Sequence, residues 1–264
     1  MCYIMNQFID FEFLEGDIPV KILGMNIPKW LIKPNNTIQP ISVGLVSDDN
    51  REYYAISKEF NLREAWNRYD VKVEIMSGDM RNRYPEGRKT KVYWIRENVL
   101  KPIHYELSIK EAKHKLDYIN WCKLIELKDG YSNRHYKTFK KLINKYGKTN
   151  KEIAENILWF CAAEKSIFET DGLGQEVRNR LEDNPVKFYG YYADYDWVCF
   201  CWLFGKMIDL PTGFPMLMFD IQQLIVENNI DKTNLLKEVP QINCHNSLQD
   251  AKWNKKLYEF LNKL

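Results

Sequence analysis

"YIMNQFIDFEF", residues 3–13, decides how the rest of the chain is arranged. Apolar side chains at most positions of so short a run fit a strand covered on both faces, one central to a sheet with layers above and below it. Set into this run are Asp10 and Glu12, two residues apart, so on a strand both side chains point to one face. That face should be core, judged by the flanking Phe8, Ile9, Phe11 and Phe13. Two adjacent carboxylates near a core repel, and one stays protonated unless a cation offsets them; a divalent metal is the simplest such cation. Alone the pair is weak evidence. Glu15/Asp17, Glu169/Asp171 and Asp194/Asp196 share the spacing, and a partly exposed acidic pair is the ordinary alternative.

Working outward, "DIPVKILGMNIPKWLIKPNN" (17–36) holds three prolines and reads as a loop or hairpin excursion. "IQPISVGLV" (38–46) and "REYYAIS" (51–57) flank the polar "SDDN" (47–50), which makes a hairpin. The basic "RNRYPEGRKTK" (81–91) reads as a loop by its Pro and Gly. "VYWIRENVLKPI" (92–103) has helical spacing, with Val92, Ile95, Val99 and Leu100 on one side, and 106–146 is helical in composition. Thr149 and Glu152 form a capping box for a helix beginning "TNKEIAENILWF". "VKFYGYYA" (186–193) alternates as a strand and runs into the apolar helix "DYDWVCFCWLFGKM" (194–207). A helix follows Pro215 in "PMLMFDIQQLIVENN", with Asp209, Asp220 and Asp231 read as surface or capping acids. The final helix, 247–264, should turn Leu248, Ala251, Leu257, Leu261 and Leu264 inward. This order predicts an α/β domain with helices packed on a sheet that is antiparallel on one side.

Composition bounds the function. At 264 residues, 45% hydrophobic and 28% charged, the chain has the make-up of a soluble globular protein. No apolar run nears the roughly 20 residues of a membrane span, and the first residues lack a basic flank and cleavage site, so cytoplasmic is the expected location. The six cysteines show neither metal-ligand spacing nor a disulfide framework. Net charge is only +2, yet residues 81–150 hold 18 Lys and Arg against 7 Asp and Glu. Such asymmetry points to nucleic acid or, equally, to a solvated helical face. Tyr84, Tyr93, Trp94, Tyr131 and Tyr136 are interleaved with those cations, where they would stack bases or simply pack.

Two further acidic signals lie downstream. Asp196 sits where a strand meets a helix, at the strand end where α/β sheets bind ligands; an N-cap is the alternative, open to Asp194 as well. In "HNSLQDA" (245–251), His245 and Asp250 are five apart, about 140° around a helix, so the histidine must precede the helix if both serve one site. The plainer reading is a capping box of Ser247 and Asp250. In combination the acids mean more than singly. Four carboxylates suit two divalent cations about 3.5–4 Å apart, an arrangement for in-line displacement at phosphorus. Oxygen ligands favour Mg²⁺ or Mn²⁺, and a histidine beside them suits a general base.

"IDFEF", "YADYDW" and "HNSLQDA", in this order, resemble the three motifs of DEDDh exonucleases of the ribonuclease H-like superfamily. Within that group the chain looks most like the mycobacterial-type 3′–5′ exoribonuclease family of bacteria and phages. "ISVGLVSDDNREYYAISKEF", "WIRENVLKPI", "TNKEIAENILWF" and "YADYDWVCFCWLFGKMIDLP" extend the likeness along the chain. The resemblance implies a single exonuclease domain over 1–264: a ribonuclease H-like mixed sheet flanked by helices, with helical and loop insertions near 17–36, 61–91 and 104–147. It implies Asp10, Glu12, Asp196 and Asp250 as metal ligands for two Mg²⁺ or Mn²⁺, His245 as general base, and Phe13 beside the terminal nucleotide. The implied reaction releases nucleoside 5′-monophosphates from a free 3′ end. Implied partners are single-stranded RNA or an RNA 3′ overhang, with DNA the rival polynucleotide, no membrane, and a second copy of the chain in a homodimer. Ser247 departs from the alanine usual there. Three rival readings stand beside this one: a DNA exonuclease of the same fold, a nucleic-acid-binding module without catalysis, and a structural or interaction protein whose acids fall in this order by chance.

Overall fold

The first strand outlasts its apolar run: β1 spans Met5–Ile18. The computed structural model describes residues 5–18, 21–22, 25–26, 35–75, 86–112, 133–162, 181, 185–242 and 244–263. After β1 come β2 (Lys21–Ile22), β3 (Met25–Asn26), β4 (Asn35–Ser47) and β5 (Glu52–Ile56). Then follow α1 (Leu62–Asn67), β6 (Asp70–Glu74), β7 (Arg88–Val92), α2 (Lys101–Ala112), α3 (Asn133–Tyr146) and α4 (Asn150–Ala162). The last part runs β8 (Val186–Gly190), α5 (Asp194–Phe204), β9 (Phe219–Asp220), α6 (Ile221–Glu227), α7 (Lys232–Glu238) and α8 (Ser247–Leu261). The protein is thus a mixed α/β chain. Among the described residues no helix is long and apolar enough to cross a membrane.

The chain divides into two compact units, one of residues 1–60 and 147–264 and the other of residues 61–146. In the first, the strands lie in the order β5-β4-β1-β8-β9. β4 runs antiparallel to its neighbours β1 and β5, while β8 and β9 run parallel to β1. β1 is central because its two faces are both apolar. Ile9 and Phe11, with Val43 and Leu45 opposite them on β4, pack on Ile153 and Ile157 of α4 and Cys199 and Phe200 of α5. Phe8 faces the other way, into Ile221 and Ile225 of α6, Leu235 of α7 and Trp253 and Leu257 of α8. Burial of these side chains on both sides supplies the main stabilising term. Thr149 and Glu152 form the capping box, each accepting the other's backbone N–H at 3.1 and 2.6 Å.

In the second unit, β6 and β7 form an antiparallel ribbon, and Val99, Leu100, Ile103, Leu107, Phe139, Leu142 and Ile143 are buried. The sequence reading differs here at two points. Arg88–Val92, read as part of a loop and the start of a helix, is a strand, because pairing with Asp70–Glu74 overrides the Pro-Gly signal before it. Val92 accordingly leaves the helical face assigned to it and is 37% exposed. Of the segments expected to be insertions, 19–20, 23–24, 27–34, 76–85 and 113–132 fall outside the described residues, as do Tyr84, Tyr131 and Leu264. In the first unit the helix expected from Pro215 begins only at Ile221. Phe219 pairs with Tyr189 as β9, and Asp220 caps α6 by accepting the Gln222 N–H at 2.8 Å.

Candidate metal centre

Asp10 and Glu12 leave β1 on the face that α8 covers. Directly opposite them on β4 stand Gly44 and Ser42, two small residues. A Cβ on Gly44 would lie 2.3 Å from the Ser247 carbonyl oxygen and 2.4 Å from Leu248 Cα, so only glycine lets the start of α8 come down on the strand there. Ser247, buried, donates its hydroxyl to Ser42 Oγ at 3.0 Å, and Asn254 one turn past Asp250 donates to the Ile9 carbonyl at 3.0 Å. The helix is therefore pinned to β1 and β4 on both sides of Asp250. Oxygens of Asp10, Glu12 and Asp250 all lie within 4.8 Å of one another, a group that could hold a metal ion.

Asp196 reaches the same acids from another element. β8 pairs with Met5–Phe8, so among the described residues no strand lies beside that edge of β1 beyond Phe8. The Phe11 N–H on that edge donates to Asp196 Oδ1 at 3.1 Å instead. Neither Asp194 nor Asp196 caps α5: Ala193 holds the N-cap position without a side-chain bond, and Asp196 lies buried in the first turn. It stands outside the tight group of three, but after burial its charge is the strongest influence raising the Asp10 pKa.

His245 and Asp250 are joined otherwise than a Ser247 capping box would have it. Asn246 is the N-cap of α8, accepting the Gln249 N–H at 3.1 Å. Asp250 accepts the backbone N–H groups of His245 and Asn246 at 2.9 and 3.1 Å and the Gln241 amide at 2.6 Å. His245 takes φ 68°, left-handed backbone uncommon for a residue with a Cβ. This conformation brings its Nδ1 to 3.8 Å from Glu12 Oε1, with the side chain 41% exposed. Phe13 faces Tyr195 of α5, ring centroids 5.6 Å apart.

The electrostatics are those of an uncompensated acidic cluster. Burial, then repulsion from Asp250 and Asp196, pushes Glu12 up to about 8. Asp196 also rises to about 8, through burial and then the charges of Asp220 and Asp250, against the Phe11 hydrogen bond. Asp10 is raised well above the ordinary range by burial and by its three acidic neighbours. Burial raises Asp250 too, opposed by its hydrogen bonds. Among the described residues no Lys or Arg forms an ion pair with any of the four. Carboxylates so placed are held ionised near neutral pH only by an added cation.

All five acid and histidine positions singled out in the sequence thus lie in one region of the first unit. The supporting Gln241, Asn254, Gly44 and Tyr195 were not singled out. Asn254 was legible, four residues after Asp250 on a helix and so on its face. Gln241, in irregular chain nine residues before the acid, carried no such signal. Comparison of the chain with family models and with curated proteins finds no match to either.

Proposed function

We propose that the chain is a metal-dependent 3′–5′ exonuclease of the DEDDh type on a ribonuclease H-like sheet, acting on RNA and releasing nucleoside 5′-monophosphates. One observation carries the reading: oxygens of Asp10, Glu12 and Asp250, from a central strand and the helix docked on it, converge within 4.8 Å with their ionisation suppressed. Asp10, Glu12, Asp250 and Asp196 are the residues that would hold Mg²⁺ or Mn²⁺. Once bound, the cations supply Lewis acidity toward a phosphodiester and its attacking water.

The chain's own residues do the rest. His245 accepts the proton of the attacking water, its ring exposed enough to pass that proton to solvent and its backbone held by Asp250. Asp250 thus has two tasks, a ligand's and a positioning one. Phe13 and Tyr195 hold the terminal base, giving the reacting phosphate a fixed distance from His245. RNA over DNA rests on the sequence resemblance. Hydrolysis of thymidine 5′-monophosphate p-nitrophenyl ester, a small phosphodiester, tests the chemistry. Turnover with Mn²⁺ that vanishes in EDTA and in Glu12→Gln is expected; equal turnover by Glu12→Gln would refute the site.

A further inference from the structure

The second unit carries a cavity of about 450 Å³ lined by Arg63, Trp66 and Asn67 of α1 and Tyr136 and Lys140 of α3. This is within the range of roughly 300–1,000 Å³ that small-molecule sites occupy. The two elements meet through aromatic packing: the Trp66 ring, nearly buried, meets Tyr136 edge-on at 5.5 Å. Tyr136 is only partly covered, so its ring is available in the cavity wall. Asn67 donates its amide to the Arg63 carbonyl at 2.8 Å, which ties this polar side chain to α1 at the cavity wall. Arg63 and Lys140 are exposed, and among the described residues neither has an acidic partner.

A line of cations and rings leads away from the cavity. Arg96 lies over Trp66 at 5.9 Å and over Tyr93 at 3.7 Å, Tyr93 packs on Tyr69 at 5.7 Å, and Lys91 covers Tyr69 at 4.1 Å. Lys137, Lys140 and Lys141 are exposed on α3 while Phe139, Leu142 and Ile143 turn inward, so one face of that helix is basic. Residues 61–146 hold 20 Lys and Arg against 11 Asp and Glu, whereas the rest of the chain is net acidic.

These features call for a ligand with fixed negative charge, a flat ring and a hydrogen-bonding edge within one small volume. A nucleotide has all three. An acidic peptide would meet the cations but, its charge carried on Asp and Glu side chains, would bring no flat ring to Tyr136. Duplex nucleic acid keeps its rings stacked and out of reach of a concave aromatic site, which leaves a single strand. We infer that the unit of residues 61–146 is a second, non-catalytic binding site for single-stranded nucleic acid. One nucleotide sits between Tyr136 and the Arg63 and Lys140 cations, and the strand continues toward the Tyr93 and Tyr69 rings. The site needs neither metal nor hydrolysis, and so its chemistry is independent of the acidic centre.

The test uses the full chain in EDTA, where no metal-dependent cleavage occurs, with fluorescence anisotropy of 5′-labelled 12-nucleotide RNA and, in a parallel arm, DNA of the same sequence. Arg63→Glu with Lys140→Glu should weaken binding at least about tenfold. It should also flatten the dependence of log affinity on log salt by about 1.4, two phosphate contacts at roughly 0.7 each. Tyr136→Leu should weaken binding about fivefold or more through lost stacking, with its salt dependence unchanged. Unchanged affinity in both variants would overturn the inference. So would polyglutamate competing as well as the oligonucleotide, which would mark an acidic-peptide site. The p-nitrophenyl ester separates the two proposals, because it is too small to need the second site. If it is turned over normally by Arg63→Glu with Lys140→Glu while RNA binding is lost, both proposals stand. If no variant turns it over and RNA binding still depends on Arg63, Lys140 and Tyr136, only the nuclease reading fails.

Discussion

Asp250 Oδ2 accepts the backbone N–H of His245 at 2.9 Å, so the acid grips the histidine's main chain while His245 Nδ1 points toward Glu12 Oε1 at 3.8 Å. Their five-residue spacing is the reach needed for a first-turn carboxylate to bend back past the N-cap. Because His245 sits at φ 68°, replacing it separates chemistry from strain. His245→Gly and His245→Ala should each lose about 10²- to 10⁴-fold in hydrolysis, the usual contribution of a general base. In thermal melts the Gly variant should be at least as stable as the Ala variant, since only glycine takes this conformation without cost.

The acidic cluster makes stability depend on pH in a definite direction. Glu12 and Asp196 have folded-state pKa values near 8, above those of the unfolded chain. Their contribution is therefore fully present below the ordinary carboxylate range and is lost as pH rises through about 8. In EDTA the melting temperature should fall between about pH 6 and about pH 9, and Mn²⁺ should restore most of the loss at the upper end. Glu12→Gln should raise the melting temperature at about pH 9 in EDTA by roughly 3 °C or more, and respond less to Mn²⁺. Scanning fluorimetry across pH, with and without the ion, checks both.

Gly44→Ala tests the docking of α8. The added methyl would meet backbone at 2.3 Å, where no side-chain rotation relieves it. A loss of more than about 3 kcal/mol in denaturant melts is expected, or a shifted α8 with weakened Mn²⁺ binding where the fold survives. A variant of unchanged stability and unchanged ion affinity would mean that the close approach is not needed.

Lys255 carries a different kind of load. Its ammonium is nearly buried and donates to the Ser47 and Asp48 carbonyls and Asn50 Oδ1, at 2.9, 2.8 and 2.7 Å. It thereby closes the turn between β4 and β5, where Asn50 takes φ 64°. Lys255→Met leaves these oxygens without their donor and should cost about 2–4 kcal/mol, measured by urea unfolding, with the ester hydrolysis per folded molecule retained.

What the sequence made legible follows from the range of each signal. β1 was readable because apolar residues on both faces have one structural solution, and Thr149 with Glu152 because a capping box is purely local. β9 was hidden in an apolar run with helical spacing, and only its pairing with distant Tyr189 reveals it. Arg88–Val92 was hidden behind Pro85 and Gly87, although the ribbon with Asp70–Glu74 is formed beyond them. At the site, residue types gave Asp10, Glu12, Asp196, His245 and Asp250. Gly44 was invisible as a site residue, since its role depends on which helix comes down upon it.

The most direct measurement is a gel assay of 5′-labelled single-stranded RNA, with matched DNA alongside, in Mg²⁺, Mn²⁺ or EDTA. A ladder shortening from the 3′ end is expected with either ion, faster on RNA than on DNA, absent in EDTA and in Asp10→Ala and His245→Ala. Strands left intact by a folded, ion-loaded wild-type protein, or shortened equally by Asp10→Ala, would contradict the assignment of Asp10, Glu12, Asp196 and Asp250 to a nuclease centre.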